Sequence, residues 1–117
     1  MTVTVYHNPR CSKSRETVKL LEDRDISFES RLYLQNIPDK EELQQIISLL
    51  GFSSARQLMR TKESIYKTLA LAEENDEDAL LNAMVENPKL IERPIVIVDD
   101  KRAKIGRPPE SVLTLFD

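Results

Sequence analysis

The chain has one cysteine, two glycines, one histidine and no tryptophan in 117 residues. Each scarcity excludes something. With Cys11 alone, no disulfide can close within the chain, and a structural zinc site built from several cysteines is out of reach. With His7 the sole imidazole, most metal-ligand sets are missing as well. Gly51 and Gly106 lie far apart, so there is no glycine-rich phosphate loop. No apolar run approaches the ~20 residues of a membrane span. Residues 1–6 carry neither the basic nor the apolar segment of a signal peptide. With 17 basic and 20 acidic residues the formal charge is −3, which disfavours non-specific binding to a phosphate backbone. The expectation is a cytoplasmic protein in a reducing compartment, with no nucleic-acid or membrane partner.

What is present fits a folded domain: 40% hydrophobic and 32% charged residues, enough to bury a core in a single domain spanning 1–117. Residues 2–7 alternate β-formers and run into Asn8-Pro9, a strand followed by a turn. Thr17, Val18, Leu20 and Leu21 recur at helical spacing, so a helix should begin just after Cys11. A second strand is expected over 28–34. Asp39 with Glu42 is a capping-box pattern opening a helix with an apolar stripe of Leu43, Ile46, Ile47 and Leu50. Gly51 should end it. Further helical pieces follow near 54–60, 64–69 and 76–86.

Ile95-Val96-Ile97-Val98 reads as a buried strand, Asp99 to Arg102 as a turn, and 103–105 as a short strand. Gly106 breaks it, and Pro109-Glu110-Ser111 should open a final helix through Leu115. The order is βαβ, a helical insert at about 39–88, then ββα. This order is compatible with an α/β, thioredoxin-like mixed four-stranded sheet flanked by helices.

Cys11 sits at a strand-to-helix junction among Arg10, Ser12, Lys13, Ser14 and Arg15. A lone cytosolic cysteine is commonly a small buried apolar residue. Here the neighbours are polar or basic, and the free N–H groups of a helix start add positive potential. Both favour thiolate. A thiol of pKa about 8.5 is about 3% ionised at pH 7, and lowering it by ~2 units makes it mostly thiolate. Cys11 to Arg15 is C-x-x-x-R rather than the C-x5-R loop of tyrosine phosphatases. Ser14 stands where a C-x-x-C pair needs its second thiol. Any redox cycle therefore needs a resolving thiol from another molecule.

The segment Tyr6-His7-Asn8-Pro9-Arg10-Cys11-Ser12-Lys13-Ser14-Arg15 resembles the signature of the glutaredoxin-coupled arsenate reductase family. Arg60, Glu92-Arg93-Pro94-Ile95-Val96-Ile97 and Ile105-Gly106-Arg107-Pro108-Pro109 match its other marked segments in order, so the resemblance covers nearly the whole chain. It implies attack of Cys11 on arsenate, addition of glutathione, and reduction to arsenite by glutaredoxin. Glutathione is a co-substrate, and no bound cofactor or metal is required. It also implies that Arg60, Arg93 and Arg107 hold the oxyanion, that His7 and Ser14 support the thiolate, and that Pro94 is the cis-proline facing the cysteine.

Taken singly, Arg60 could complement a helix C-terminus, and Arg93 and Arg107 could be solvated loop charges. Both of the latter precede proline, which restricts their backbone to extended conformations. Planar guanidinium forks suit an oxyanion of about two negative charges approached by a thiolate. Two rival readings stay open: a glutathione-dependent thiol reductase without an arsenate role, and an Spx-like regulator that binds RNA polymerase. A monomer is expected, because no long apolar stripe is left over.

Overall fold

The computed structural model describes all 117 residues, and they form two units: Met1–Asn36 with Arg93–Asp117, and Ile37–Glu92. In the first unit, strands β1 (Val3–Tyr6), β2 (Glu29–Arg31), β3 (Ile95–Val98) and β4 (Arg102–Ile105) make one sheet in the order β2-β1-β3-β4. β1 runs parallel to β2 and antiparallel to β3, and β3 runs antiparallel to β4.

Alternation along the strands sets the two faces. Val3, Val5, Val96 and Val98 join Leu21, Val112 and Leu115 in one buried cluster, with Val18, Phe28 and Phe116 at its edge. Leu21 and Val18 come from helix α1 (Ser12–Asp23), while Val112 and Leu115 come from the 3₁₀ helix Pro109–Phe116. The other face of β3 is buried as well, through Ile95 and Ile97. A four-residue run of Ile and Val is what a strand hidden on both faces needs.

The turn between β3 and β4 places Asp99 and Asp100 at φ +54° and +53°. Aspartate tolerates this left-handed region better than most residues, and two in succession match the twist of a tight hairpin. Three differences from expectation are local. β2 is only three residues long, because Gln35 and Asn36 both donate to the carbonyl of Leu32 and turn the chain there. β4 starts one residue early, at Arg102. The C-terminal segment is a 3₁₀ helix rather than an α-helix.

The second unit holds α2 (Lys40–Leu49), α3 (Ser64–Thr68) and α4 (Glu77–Glu86), joined by 3₁₀ turns. The Asp39 carboxylate caps α2 by accepting from the Glu42 N–H at 2.8 Å. Gly51, at φ +76°, ends the helix in the left-handed conformation that a side chain would strain. Ser54 and Gln57 form a full capping box on the 3₁₀ turn Ala55–Leu58. Residues 58–60 and 90–92 pair antiparallel: Arg60 N–H donates to Leu90 O at 2.7 Å, Glu92 N–H donates to Leu58 O at 2.8 Å, and Met59 faces Ile91 between them. No helix is long and apolar enough to cross a membrane.

Candidate active site

The loop after β1 is organised by a residue that sequence reasoning treated only as part of a turn. Asn8 is buried; its carbonyl accepts from the Cys11 N–H at 3.0 Å and its side-chain Oδ1 from the Arg10 N–H at 3.0 Å. Its own N–H donates to the Ser14 hydroxyl at 3.0 Å. Three hydrogen bonds thus fold 8–11 onto the start of α1 and leave Cys11 as its N-cap, with extended φ and ψ of −97° and 124°. An Asn-Pro pair signals the turn, but only the structure shows that Asn8 faces inward.

Burial pushes the Cys11 thiol up, but the opposing influences win and its pKa is lowered. They are, in order, the backbone N–H of Ser14, the Arg93 guanidinium, and the backbone N–H of Lys13. The helix start therefore acts as an anion site, and a cation reinforces it. A second guanidinium reaches the sulfur: Arg107 Nη2 lies 3.4 Å from Sγ, while its Nε donates to the Arg93 carbonyl at 2.8 Å. Arg107 is solvent-exposed and Arg93 half-buried, so water screens Arg107 more and Arg93 exerts the larger pull on the thiol.

Arg93 and Arg107 each precede a proline, and both peptide bonds, Arg93–Pro94 and Arg107–Pro108, are cis. Sequence reasoning pointed to the first of these alone. Gly106 packs against Pro94, its N–H donating to the Pro94 carbonyl at 2.9 Å.

His7 and Ser14 lie together, but neither side chain is placed on the sulfur by any hydrogen bond of the structure. His7 Nδ1 is 2.7 Å from Ser14 Oγ, and that oxygen also accepts from Asn8. Ser14 is fully buried, one turn before the buried Thr17 and two before Leu21. The hydroxyl is therefore spent inside the loop, and the part of Ser14 that acts on Cys11 is its backbone amide. The His7 pKa is lowered by burial and then by the Arg15 charge, so the imidazole is neutral at pH 7.

Arg60 belongs to the second unit. Its Nε lies 3.2 Å from Glu63 Oε1, and its Nη1 lies 2.9 Å from Glu92 Oε1. A cleft of about 270 Å³ adjoins the loop His7–Arg10 in the first unit, with Leu32, Leu34 and Gln35 on its other wall. A larger cleft, about 430 Å³, lies wholly in the second unit between residues 63–68 and 86–89. It contains no cysteine or arginine, so the chemistry is placed at the thiol rather than in the larger volume.

A sequence profile of the ArsC family matches residues 6–115. The chain belongs to the ArsC family. Its relatives include an arsenate reductase of Haemophilus influenzae, 53% identical over 99% of this chain and 100% of that protein. The uncharacterized protein YfgD of Escherichia coli K12 is 54% identical over 97% of this chain and 95% of that protein. The solved structure of an arsenate reductase from Vibrio cholerae superposes with a TM-score of 0.93 at 50% identity, covering 97% of each chain. The first unit carries the thioredoxin-like ArsC sheet.

The ArsC cysteine site can be tested directly through its titration. Alkylation of Cys11 by iodoacetamide should reach half its maximal rate below pH 8.5, the midpoint of an ordinary thiol. Arg93→Ala should move that midpoint upward. A midpoint at 8.5 in the native protein would remove the activated thiolate from the site.

Proposed function

We propose that this ArsC protein reduces arsenate to arsenite through a covalent intermediate on Cys11, with glutathione and glutaredoxin supplying the electrons. The observation that carries the reading is the pairing of a lowered-pKa thiol with two guanidiniums, Arg107 at 3.4 Å and Arg93 beside it. A thiolate alone repels an oxyanion, and fixed cations with aligned N–H groups offset that repulsion where charge builds up. Relatives named arsenate reductase support the choice of substrate.

The cycle balances with external thiols. The Cys11 sulfur forms a bond to arsenic, and one arsenate oxygen leaves as water after protonation. Glutathione then adds through its sulfur, releasing a second oxygen as water. A glutaredoxin thiolate attacks the glutathione sulfur, forming a mixed disulfide. The electron pair of the broken S–As bond stays on arsenic, which falls from As(V) to As(III). Hydrolysis of the remaining Cys11–As bond frees arsenite and restores the thiol. Both electrons come from the two external thiols, so the cycle calls for no resident cofactor, and the single cysteine suffices.

In this reading Arg93 and Arg107 hold the oxyanion at Cys11, and the family resemblance adds Arg60. Arg60→Lys keeps the charge and loses the planar fork. It should lower kcat/KM for arsenate by about tenfold or more, a loss of one to two charge-assisted hydrogen bonds. An unchanged value would take Arg60 out of the set.

The deciding assay is arsenate-dependent NADPH oxidation with purified protein, glutathione, glutaredoxin and glutathione reductase, with arsenite identified as the product. A signal that needs both arsenate and Cys11 establishes the reading. No arsenite, with Cys11 still reducing glutathione mixed disulfides, would make the protein a thiol reductase instead.

A further inference from the structure

Arg60 is held in an unusual way for a surface arginine. Two carboxylates take it from different sides, Glu63 on Nε at 3.2 Å and Glu92 on Nη1 at 2.9 Å. The three side chains are only 24%, 28% and 23% exposed, so the cluster is sheltered from full solvent screening. Its backbone is equally constrained, because Arg60 and Glu92 occupy facing segments joined by the Arg60–Leu90 and Glu92–Leu58 hydrogen bonds. Leu58, Leu90 and Ile91 beneath them are almost completely buried. Glu63 adds a local tie, since its N–H donates to the Arg60 carbonyl at 3.2 Å.

Nη2 takes part in neither ion pair. We propose that Glu63 and Glu92 are positioning residues for Arg60, fixing its guanidinium by Nε and Nη1 so that Nη2 is the edge offered to the substrate oxyanion. The inference rests on the reading of Arg60 as an oxyanion ligand.

The physical gain is preorganisation. A free arginine side chain samples many rotamers and loses them on binding, whereas one already clamped binds without that loss. What the two carboxylates supply to Arg60 is a fixed direction for its N–H donors. This distinguishes positioning from simple charge. Glu92→Gln keeps an acceptor oxygen for Nη1 and removes one negative charge, and should leave the arsenate KM at or below its native value. Glu92→Ala removes the acceptor and should raise KM about tenfold with a smaller change in kcat, the signature of lost binding geometry.

The test is a double-mutant cycle on the full chain with arsenate as the varied substrate, comparing Arg60→Ala, Glu92→Ala and the double variant. All variants are checked for native thermal unfolding, and Glu63→Ala with Glu92→Gln completes the set should Glu92→Ala fail to fold. If Glu92 acts through Arg60, Glu92→Ala changes kcat/KM less than about twofold once Arg60 is alanine. Equal effects in both backgrounds would overturn the positioning role while leaving Arg60 as a ligand. A neutral Arg60→Ala would overturn both the ligand role and the inference. In the reserve set, a raised KM in Glu63→Ala that vanishes in the Arg60→Ala background supports the clamp, and persistence there sinks it.

Discussion

Cys11→Ser should abolish arsenate-dependent turnover, by about a thousandfold or more, while leaving the fold intact. A serine hydroxyl is a poor nucleophile without a base to activate it, and the one imidazole nearby, His7, is engaged with Ser14 at 2.7 Å. At pH values below the thiol pKa stability should not suffer, because Cys11 occupies the N-cap of α1 and serine is among the preferred residues there. Coupled NADPH oxidation and thermal unfolding on the same preparation check both halves. Turnover retained in the serine variant would remove the covalent adduct from the mechanism.

The same substitution isolates the linkage between thiol ionisation and folding. The native pKa of Cys11 is lowered relative to the unfolded chain. The native protein therefore gains stability as pH rises through the native thiol pKa, and the gain is complete above the unfolded one. It is lost as pH falls back through the native value. Urea unfolding between pH 5 and 9 should show this rise, and Cys11→Ser should lose the thiol part and keep only what the lowered His7 pKa adds in the same direction. Parallel curves for the two proteins would mean that the folded environment does not favour the thiolate.

Much of the fold is legible because it rests on local chemistry. Val3–Tyr6 and Ile95–Val98 are runs of β-branched and aromatic residues suited to a sheet interior, and Asp39 and Gly51 mark the ends of α2 by capping geometry. The short β2 and the 3₁₀ form of the C-terminal helix were not legible, because each depends on where the chain turns and what it packs against. The site divides in the same way. Basic neighbours and a helix start single out Cys11, since its environment is built from adjacent residues. Arg93 and Arg107 reach it from 82 and 96 positions away in sequence, and no spacing rule brings them there; only the family resemblance did. Asn8 and the burial of Ser14 could have been suspected from a stripe at 14, 17 and 21 on α1, where two polar residues continue the face that Leu21 buries. Polar side chains on a buried face need partners, and the His7–Ser14–Asn8 cluster is that partnership.

Gly106→Ala should destabilise the protein by about 1–3 kcal/mol, the usual cost of forcing extra volume into a packed site. A Cβ at this position would lie 2.8 Å from Pro94 Cγ and still closer to Thr17 Oγ1. Neither neighbour can step aside easily. The proline ring is rigid and its carbonyl already accepts from the Gly106 N–H at 2.9 Å. The Thr17 hydroxyl donates to the Lys13 carbonyl at 2.9 Å inside α1, and a β-branched side chain has few rotamers to exchange. The midpoint should fall by about 4–8 °C for each kcal/mol lost. The consequence extends past stability, because Pro94 follows Arg93 and Thr17 anchors the turn that holds Lys13 and Ser14. Displacing either shifts a group that lowers the Cys11 pKa, so the alkylation midpoint should rise along with the loss of stability. An unfolding midpoint and thiol titration both unchanged in Gly106→Ala would show that Pro94 and Thr17 have room to move, and that the packing around Gly106 does not hold the arginine and the helix start in register with the sulfur.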